Sequence, residues 1–516
     1  MVPDEQGRVA GARREWLLAA LVMVVAVALR LPALGRDGMW SDECLTATWA
    51  ALPWRATATA AAADTNAPLF FLLEKAPRAA LGDGEAATRL LPALAGLAGV
   101  AAVFVLGRRL AGPGCGVLAA FLLAVSPLHV HYSREARNYT LLILLVVLAW
   151  AAADRVRSRG RPLDTAALAL ALAALLYTHT IAAFAIGGIL LAALLPWDAR
   201  VARRLAVAVA LAAVAFLPWL PALAAQGDRS SAMYVWHLPE WQKEFPWQVP
   251  RSLAALSHGS LAPVRNRVAD LLPSAWAGAA LTALLATLAL ARRRSLPDPA
   301  APLRLLVAAL APLVALFVAA AAGPPVYVVG RADVAALPFL LLLAAAGATA
   351  LPARLRPLAA VAFAGLAVLP LQVLFSIDTR SQEKLIAGML TGARRPGEPV
   401  VATSFLPCLE HYAGLRPGHD LFAFPARPAA RADWVDWRAH PAARWPAEAE
   451  TLALEVAAEA RARDAGRVWV LRRRERVGEA LATAFDGALF PLGATDLGYQ
   501  SAELRVYGVP QAAPAR

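Results

Sequence analysis

Long apolar runs, separated by short basic connections, follow one another from about residue 15 to residue 377. Each run is roughly as long as the 17 to 25 residues that a helix needs to cross a bilayer. Hydrophobic residues make up 59% of the chain, against roughly half in a soluble domain. The pattern predicts a polytopic α-helical membrane protein with about eleven transmembrane helices. They are expected to begin near Glu15, Thr88, Gly114, Asn138, Leu163, Ile181, Leu205, Leu272, Leu303, Asp333 and Pro357.

The chain is basic, with 50 Lys and Arg against 37 Asp and Glu and a net charge of +13. The arginines cluster at every second connection between apolar runs. This is the distribution of cytoplasmic loops in a membrane protein and not that of a nucleic-acid-binding face, so no nucleic-acid partner is expected. It places the N-terminus in the cytoplasm. The clusters are Arg108 and Arg109; Arg155, Arg157, Arg159 and Arg161; Arg200, Arg203 and Arg204; Arg292, Arg293 and Arg294; and Arg354 and Arg356.

The other connections are then extracytoplasmic. The first is an outer loop over residues 35–87, and a later one, from about Ala224 to Leu271, carries tryptophans typical of membrane interfaces. Residues 1–377 are expected to form the membrane module. In residues 378–516, "PVVATSF", "RVWVLRRR" and "AELRVYGV" are typical of strands, and "LPCLEHYAGL" and "VGEALATAF" of helices. The tail is therefore predicted to be a small extracytoplasmic α/β domain.

Cysteine and histidine usage gives little sign of a cofactor. Cys44, Cys115 and Cys408 are widely separated and match neither a zinc motif nor a disulfide framework. His129 and His131 stand at alternate positions with no third ligand at a defined spacing, which favours structural hydrogen bonds over metal binding. The sequence thus predicts no certain cofactor and leaves a divalent metal open.

Two adjacent carboxylates, Asp42 and Glu43, follow the first span in "GMWSDECLTATWA". One interpretation is structural, with Ser41 as the N-cap and both carboxylates at the positive end of a helix dipole. The other is chemical, because ionisable groups at a membrane boundary are functional candidates. Adjacent residues diverge by ~100° on a helix. We therefore expect Asp42 to face a site and Glu43 to support it.

Arg134 and Arg137, in "HYSREARNYTLL", are predicted to lie outside, against the positive-inside trend. In the first turn of a span, three residues apart, they would share one face. Two guanidinium groups beside the free N–H groups of a helix start suit a phosphate or pyrophosphate. The alternative is that both reach lipid headgroups. Glu135 would either hold an arginine in position or act on the substrate.

A further arginine, Arg331 in "GPPVYVVGRADVAALP", is also expected at an outer helix start. It is close to Asp333 in sequence, and an ion pair between the two is the structural alternative. An ion pair at a membrane boundary can also hold an arginine ready for a phosphate. Arg331 is therefore a second candidate for binding an anion.

Candidate supporting residues lie in the same outer segments. Asp64 and Asn66 precede Pro68, a pattern that suits the first turn of a short helix on the membrane surface. Tyr139 follows the arginine pair, and His179 lies in "YTHT", the short connection between two predicted spans. Each of these side chains would be available at the outer face.

An ordered set of motifs over residues 15–350 resembles the GT-C superfamily of glycosyltransferases, specifically bacterial members of glycosyltransferase family 39 and related protein mannosyltransferase-like enzymes. The motifs are "WSDE", "DTNAPLFFLL", "ATRLLPALAGL", "SPLHVHYSREARNYTLL", "YTHT", "FLPWLP" and "GRADVAALPFLLLLAAAG". Two positions depart from the family pattern. "NAPLFF" replaces a His-Pro-Pro form, and Ala332 stands where a Tyr commonly follows the arginine.

The resemblance implies a polyprenyl-phosphate-linked sugar donor, transfer with inversion, and a multi-pass location in the bacterial inner (plasma) membrane. It implies that Asp42 is the general base on the acceptor hydroxyl and that Arg137 and Arg331 hold the lipid phosphate. The acceptor would be a lipid, a glycan or a protein. The C-terminal domain is compatible with the family, whose outer tails vary widely.

Two other classes of function compete with an enzyme. A transporter or flippase of lipid-linked saccharides needs polar residues in the middle of several spans, whereas the charges here collect at the predicted helix ends. A membrane scaffold would use the outer α/β domain to bind a partner. The position of the charges favours the enzyme.

Overall fold

The computed structural model describes residues 5–233, 245–258, 273–323, 326–376, 381–427, 435, 438–498 and 500–510. The chain divides into two compact units. The helical unit comprises Met1–Leu34, Asn66–Leu223 and His237–Ile377. The α/β unit comprises Gly35–Thr65, Ala224–Trp236 and Asp378–Arg516. Part of the predicted first outer loop therefore belongs to the same unit as the C-terminal tail.

A helix lies at or near each predicted span. Within the described residues, six helices are long and apolar enough to cross a membrane, and a seventh span results if the pair Pro113–Val125 and Pro127–Ser133, bent by 64°, is a single broken span. The protein is thus a multi-pass membrane protein, and eleven spans stay a prediction. The helices that the structure describes outside the C-terminal tail are Glu5–Arg30, Ser41–Ala51, Trp54–Ala63, Leu69–Leu73, Lys75–Leu81, Glu85–Ala111, Pro113–Val125, Pro127–Ser133, Tyr139–Ser158, Pro162–Thr178, Ala182–Ala193, Ala199–Phe216, Leu220–Met233, Gln248–His258, Pro273–Ala291, Ala301–Ala322, Leu337–Thr349 and Arg356–Ser376.

The predicted loop from Ala224 to Leu271 contains more regular structure than its sequence indicated. Leu220–Met233 and Gln248–His258 are helical, and the exposed Trp247 ends a short 3₁₀ turn. The other two predicted aromatic anchors, Trp236 and Trp241, lie outside the described residues.

Helix Leu337–Thr349 forms the centre of the helical unit. Every residue from Leu337 to Ala348 is buried, as expected for a helix that is apolar on all its faces. Gly347 packs against helix Pro273–Ala291 so closely that a Cβ at this position would overlap the carbonyl oxygen of Leu285. Small residues of this kind allow close helix approach in membranes, where packing replaces the hydrophobic effect as the main source of association.

The α/β unit contains a five-stranded mixed sheet among its described residues. The strands are β1 Val400–Ala402, β2 Leu421–Ala423, β3 Arg467–Arg473, β4 Phe490–Asp496 and β5 Ala502–Gly508, and the described tail helices are Ser381–Ala393, Leu406–Ala413, Trp445–Ala462 and Arg476–Ala488. The strands lie in the order β2-β1-β3-β5-β4. β1 is parallel to both β2 and β3, whereas β5 is antiparallel to β3 and β4. The three predicted strands and two predicted helices of the tail form as expected.

The close packing at Gly347 leads to a test of the helical unit. Gly347→Ala should destabilise the protein by about 1–3 kcal/mol, because the added methyl group must push two packed helices apart. Gly187→Ala is the matched control, since a Cβ there meets no atom within 4 Å. Thermal unfolding in detergent measures both. Equal unfolding temperatures for the two variants would contradict the packing.

Candidate active site

The two carboxylates after the first span have different surroundings. Helix Ser41–Ala51 begins after Trp40, which occupies the N-cap position that the sequence assigned to Ser41. The backbone N–H of Trp40 donates to Glu43 Oε2 at 3.4 Å, and Glu43 is fully buried. Asp42 lies in the first turn and is only partly buried. Glu43 thus stabilises the helix start, and Asp42 is the more accessible carboxylate of the pair.

The assignment of Ser41 as the N-cap is wrong because its hydroxyl has another partner. Ser41 Oγ donates to Glu383 Oε2 at 3.3 Å, within the α/β unit. Burial raises the pKa of Glu383 from 4.5 to about 7, against the lowering effect of hydrogen bonds from Cys408 and Ser41. The charge of Asp42 raises the pKa of Glu383 further, so the two carboxylates lie within electrostatic range. We call Ser41, Asp42, Glu43 and Glu383 the carboxylate cluster.

Asp64 also belongs to the α/β unit but serves a local turn. Its Oδ1 accepts hydrogen bonds from the backbone N–H of Thr65 at 2.5 Å and from the Thr65 hydroxyl at 3.2 Å. Asp64 is the C-cap of helix Trp54–Ala63 and is buried. The contacts of Asp64 fix the end of that helix.

Arg134 and Arg137 lie in a non-helical link and not in the first turn of a span. Helix Pro127–Ser133 ends before Arg134, and helix Tyr139–Ser158 begins after Arg137. The expectation that the two arginines share a helical face is therefore wrong. The link is held by Asn138, whose side-chain amide donates to the carbonyl of Thr178 at 2.7 Å, the last residue of helix Pro162–Thr178.

Arg134 binds the end of the first helix. Its guanidinium group donates to the carbonyl oxygens of Arg30, Pro32 and Ala33 at 3.0, 2.8 and 3.2 Å. It also lies 5.3 Å from the centre of the Phe375 ring. A cation at the C-terminal end of a helix satisfies carbonyls that lack intrahelical partners. These contacts give Arg134 a structural task.

Arg137 faces a different set of polar groups. Its Nη2 donates to Asn66 Oδ1 at 3.4 Å, which joins "SREARNY" to the "DTNAP" motif. His179 is partly buried and lies within range of the charge of Arg137. Arg137 also immediately precedes the N-terminus of helix Tyr139–Ser158, where the helix dipole favours an anion. Asn66, Arg137 and His179 are thus brought together from three separate segments of the sequence.

A pair of tyrosines connects Arg137 to Arg331. The rings of Tyr132 and Tyr139 lie 4.2 Å apart, and the ring of Tyr139 lies 6.2 Å from that of His179. The Tyr132 hydroxyl donates to the carbonyl of Gly330 at 2.5 Å, next to Arg331. The charge of Arg331 acts on the same hydroxyl.

We call this group, which lies wholly in the helical unit, the arginine cluster. Its members are Asn66, Tyr132, Arg137, Tyr139, His179 and Arg331. The sequence did not single out Tyr132. Its position in the middle of "HVHYSREARNY" is the only signal that could have identified it.

Arg331 lies in a turn before a helix, close to the predicted helix start. Gly330 has a φ of +76°, a conformation that glycine adopts without strain. The turn is closed by hydrogen bonds from the backbone N–H groups of Arg331 and Ala332 to the carbonyl of Val328. The chain then enters the 3₁₀ turn Val334–Ala336 and helix Leu337–Thr349.

Glu135 contacts a histidine. Its Oε2 lies 2.9 Å from His131 Nε2, and both side chains are buried. Glu135 therefore orients His131 in this arrangement. Among the described residues, no group of three or more His, Cys, Asp and Glu side chains has the geometry to hold a metal ion.

The geometry of the two clusters defines what each can do chemically. The arginine cluster combines guanidinium groups, a tyrosine hydroxyl and a helix N-terminus, which together suit a phosphate group. The carboxylate cluster presents Asp42, a partly accessible acid that can accept a proton.

Part of the chain is similar to a known protein family. A model of the family described as dolichyl-phosphate-mannose-protein mannosyltransferase matches residues 65–222. No curated protein matches the chain by sequence.

The fold itself is found in solved structures. ArnT from Cupriavidus metallidurans in the apo state matches 98% of this chain over 100% of its own, with a TM-score of 0.63 and 16% identity. ArnT bound to undecaprenyl phosphate matches 97% over 99%, with a TM-score of 0.62 and 15% identity. The arabinofuranosyltransferase AftD from Mycobacteria matches 98% of this chain over 40% of its own, with a TM-score of 0.51 and 15% identity. The chain has the GT-C fold that its motifs predicted.

Glu383 provides a test of the carboxylate cluster. Its pKa of about 7 in the folded protein exceeds its ordinary 4.5. The folded state therefore binds more protons, and stability falls as pH rises through that window, by about 3 kcal/mol in total. Glu383→Gln should flatten this fall, measured as unfolding temperature between pH 4 and pH 8.

The exposed Glu455 gives the matched control, because Glu455→Gln should keep the wild-type pH dependence. The same pH dependence in Glu383→Gln as in wild type would show that Glu383 does not titrate in this window.

Proposed function

We propose that this chain, which has the GT-C fold, is an integral membrane glycosyltransferase. It moves a sugar from a polyprenyl-phosphate donor to the hydroxyl of an extracytoplasmic lipid, glycan or protein, with inversion at the anomeric carbon. The observation that carries the proposal is the arginine cluster, in a chain whose fold matches that of ArnT over its full length. One of the matching ArnT structures is bound to undecaprenyl phosphate, which supports a lipid phosphate as the ligand of the cluster.

On the donor side, Arg137 and Arg331 are assigned to the phosphate. Negative charge grows on this group as the bond to the sugar breaks, so guanidinium groups already in place stabilise the transition state more than the ground state. The Tyr132 ring packs against the Tyr139 ring, and the Tyr132 hydroxyl donates to the carbonyl of Gly330, which supports the position of the adjacent Arg331. Arg134 has a structural part in this proposal, because it donates hydrogen bonds to the carbonyl oxygens of Arg30 and Pro32 at the end of the first helix.

On the acceptor side, Asp42 is assigned as the general base. A base must be able to reach the acceptor hydroxyl and remain ionised, and Asp42 is the more accessible of the two adjacent carboxylates. Glu43 holds the start of the same helix through the Trp40 N–H and thereby supports Asp42. Proton removal by Asp42 makes the acceptor oxygen a better nucleophile as the new bond forms.

The proposed membrane topology is the one predicted from the apolar runs and the positions of the arginine clusters. Eleven spans in the bacterial inner membrane place the N-terminus in the cytoplasm and the domain over residues 378–516 outside. Residues 1–377 then form the catalytic membrane module, with the first outer loop over residues 35–87. The lipid tail of the donor remains in the bilayer while its sugar is transferred at the outer face.

Asp42→Asn should abolish transfer from a polyprenyl-phosphate sugar, since the amide cannot accept the proton. A loss of general-base catalysis is roughly 10²- to 10⁴-fold in rate. Purified variants are assayed for release of free polyprenyl phosphate, and their folding is checked by unfolding temperature. Asp37→Asn, five residues earlier on the same loop, should remain active. Near-normal activity of Asp42→Asn would refute the assignment of the base.

Arg137→Ala and Arg331→Ala should weaken donor binding, because each removes a charged donor from the phosphate. A hydrogen bond to a charged group contributes about 1.5–3 kcal/mol, which corresponds to a roughly 10- to 150-fold higher KM or Kd for the donor. Binding of polyprenyl phosphate to the purified protein measures the effect.

Arg55→Ala is the control, because Arg55 is exposed on helix Trp54–Ala63. Unchanged donor binding in both cluster variants would refute the assignment to the donor phosphate and favour the alternative that Arg137 and Arg331 bind the headgroups of bilayer lipids. Intact donor binding with movement of the whole lipid across the bilayer would instead favour a flippase.

A further inference from the structure

Cys44 and Cys408 are brought into direct contact within the α/β unit. The two Sγ atoms are 2.6 Å apart, only about half an ångström longer than a disulfide bond of ~2.05 Å. Cys44 lies on helix Ser41–Ala51 and Cys408 on helix Leu406–Ala413. The residues are 364 positions apart in sequence, which is why their spacing gave no sign of a pair.

The surroundings of the two thiols form a built site. Both side chains are fully buried, and both Sγ atoms lie 3.6 Å from the carbonyl oxygen of Met39. The backbone N–H of Met39 in turn donates to the Tyr412 hydroxyl at 2.7 Å, so the segment before helix Ser41–Ala51 is tied to the same helix as Cys408. The two helices cannot move apart without breaking this set of contacts.

A carboxylate lies beside the thiols. Glu383 Oε2 accepts a hydrogen bond from Cys408 Sγ at 2.9 Å. The same oxygen accepts the hydrogen bond from Ser41 Oγ, so Glu383 contacts both helix Ser41–Ala51 and helix Leu406–Ala413 beside the two cysteines.

We propose that Cys44 and Cys408 form a disulfide bond that joins helix Ser41–Ala51 covalently to the C-terminal domain. The inference rests on the proposed outer location of this unit, because disulfides persist in oxidising compartments. It goes beyond the proposed transfer reaction, since the helix that is fixed in this way carries Asp42.

The reaction balances with a disulfide oxidant of the thiol–disulfide oxidoreductase class. The thiolate of one cysteine attacks the disulfide of the oxidant and forms a mixed disulfide. The thiolate of the second cysteine then attacks the sulfur of the first cysteine and displaces the sulfur of the oxidant. The Cys44–Cys408 bond forms and the bond within the oxidant breaks. The oxidant takes up two electrons and two protons and leaves as a dithiol. Because both thiols are buried in the folded unit, this step occurs during folding.

The test is the thiol state of the full chain taken from bacterial membranes. Thiol exchange in the sample is first stopped with acid. The protein is then denatured in the presence of a maleimide, which alkylates free thiols, and in the absence of reductant. Its peptides are analysed by mass spectrometry. Cys115, which is buried in the helical unit, is the internal control and should be fully alkylated. The peptides of Cys44 and Cys408 should be linked to each other and should accept the maleimide only after reduction.

Single variants sharpen the result. Cys44→Ser should leave Cys408 open to alkylation without reductant, and Cys408→Ser should do the same for Cys44. If both cysteines of the wild-type chain are alkylated before reduction as fully as Cys115, the disulfide is refuted. The measurement requires no sugar transfer, so it can fail while the proposed enzyme activity stands, and the reverse also holds.

Steady-state kinetics test whether the disulfide bond positions Asp42. The double variant Cys44→Ser, Cys408→Ser should lower kcat several-fold with little change in the donor KM, because it loosens the helix that carries Asp42 and leaves the arginine cluster intact. An unchanged kcat would overturn the claim that the Cys44–Cys408 bond positions the base.

Discussion

A bilayer allows irregular backbone only where other parts of the protein cover it, because unpaired N–H and C=O groups are too costly in hydrocarbon. Three residues of the arginine cluster lie at such breaks of the helical unit. Arg137 lies in the link before helix Tyr139–Ser158, His179 follows helix Pro162–Thr178, and Arg331 precedes helix Leu337–Thr349. The side chain of Asn138 joins the first break to the second. The positions of Arg137, His179 and Arg331 in the arginine cluster are therefore set by the ends of these helices.

Much of this could be predicted from the sequence, because the bilayer imposes a length and a polarity on each helix. The positions of the helices, the breaks between them and three strands of the tail followed from apolar runs and charges. The local geometry did not. Arg134 and Arg137 were expected to share a face, but the chain leaves the helix between Ser133 and Tyr139, and Arg134 binds backbone carbonyls from another segment.

What the sequence could not provide is contact between distant segments. Glu383 resembles any acidic residue on a short amphipathic helix, and only the fold places it against Ser41. The same is true of Cys44 and Cys408. In physical terms, periodicity reports which face of an element is buried, whereas the partner on that face depends on tertiary packing. Thus Asp42 could be selected from its position at a helix start, but its neighbours could not.

The central claim is that the chain breaks the bond between a sugar and a lipid phosphate and passes the sugar on. The most direct measurement incubates the purified protein with a polyprenyl-phosphate donor labelled in the sugar, together with extracts of the bacterial envelope as acceptor. The label should move to a lipid, glycan or protein of the extract with inverted configuration, while free polyprenyl phosphate is released. Label that remains on the polyprenyl lipid would contradict it.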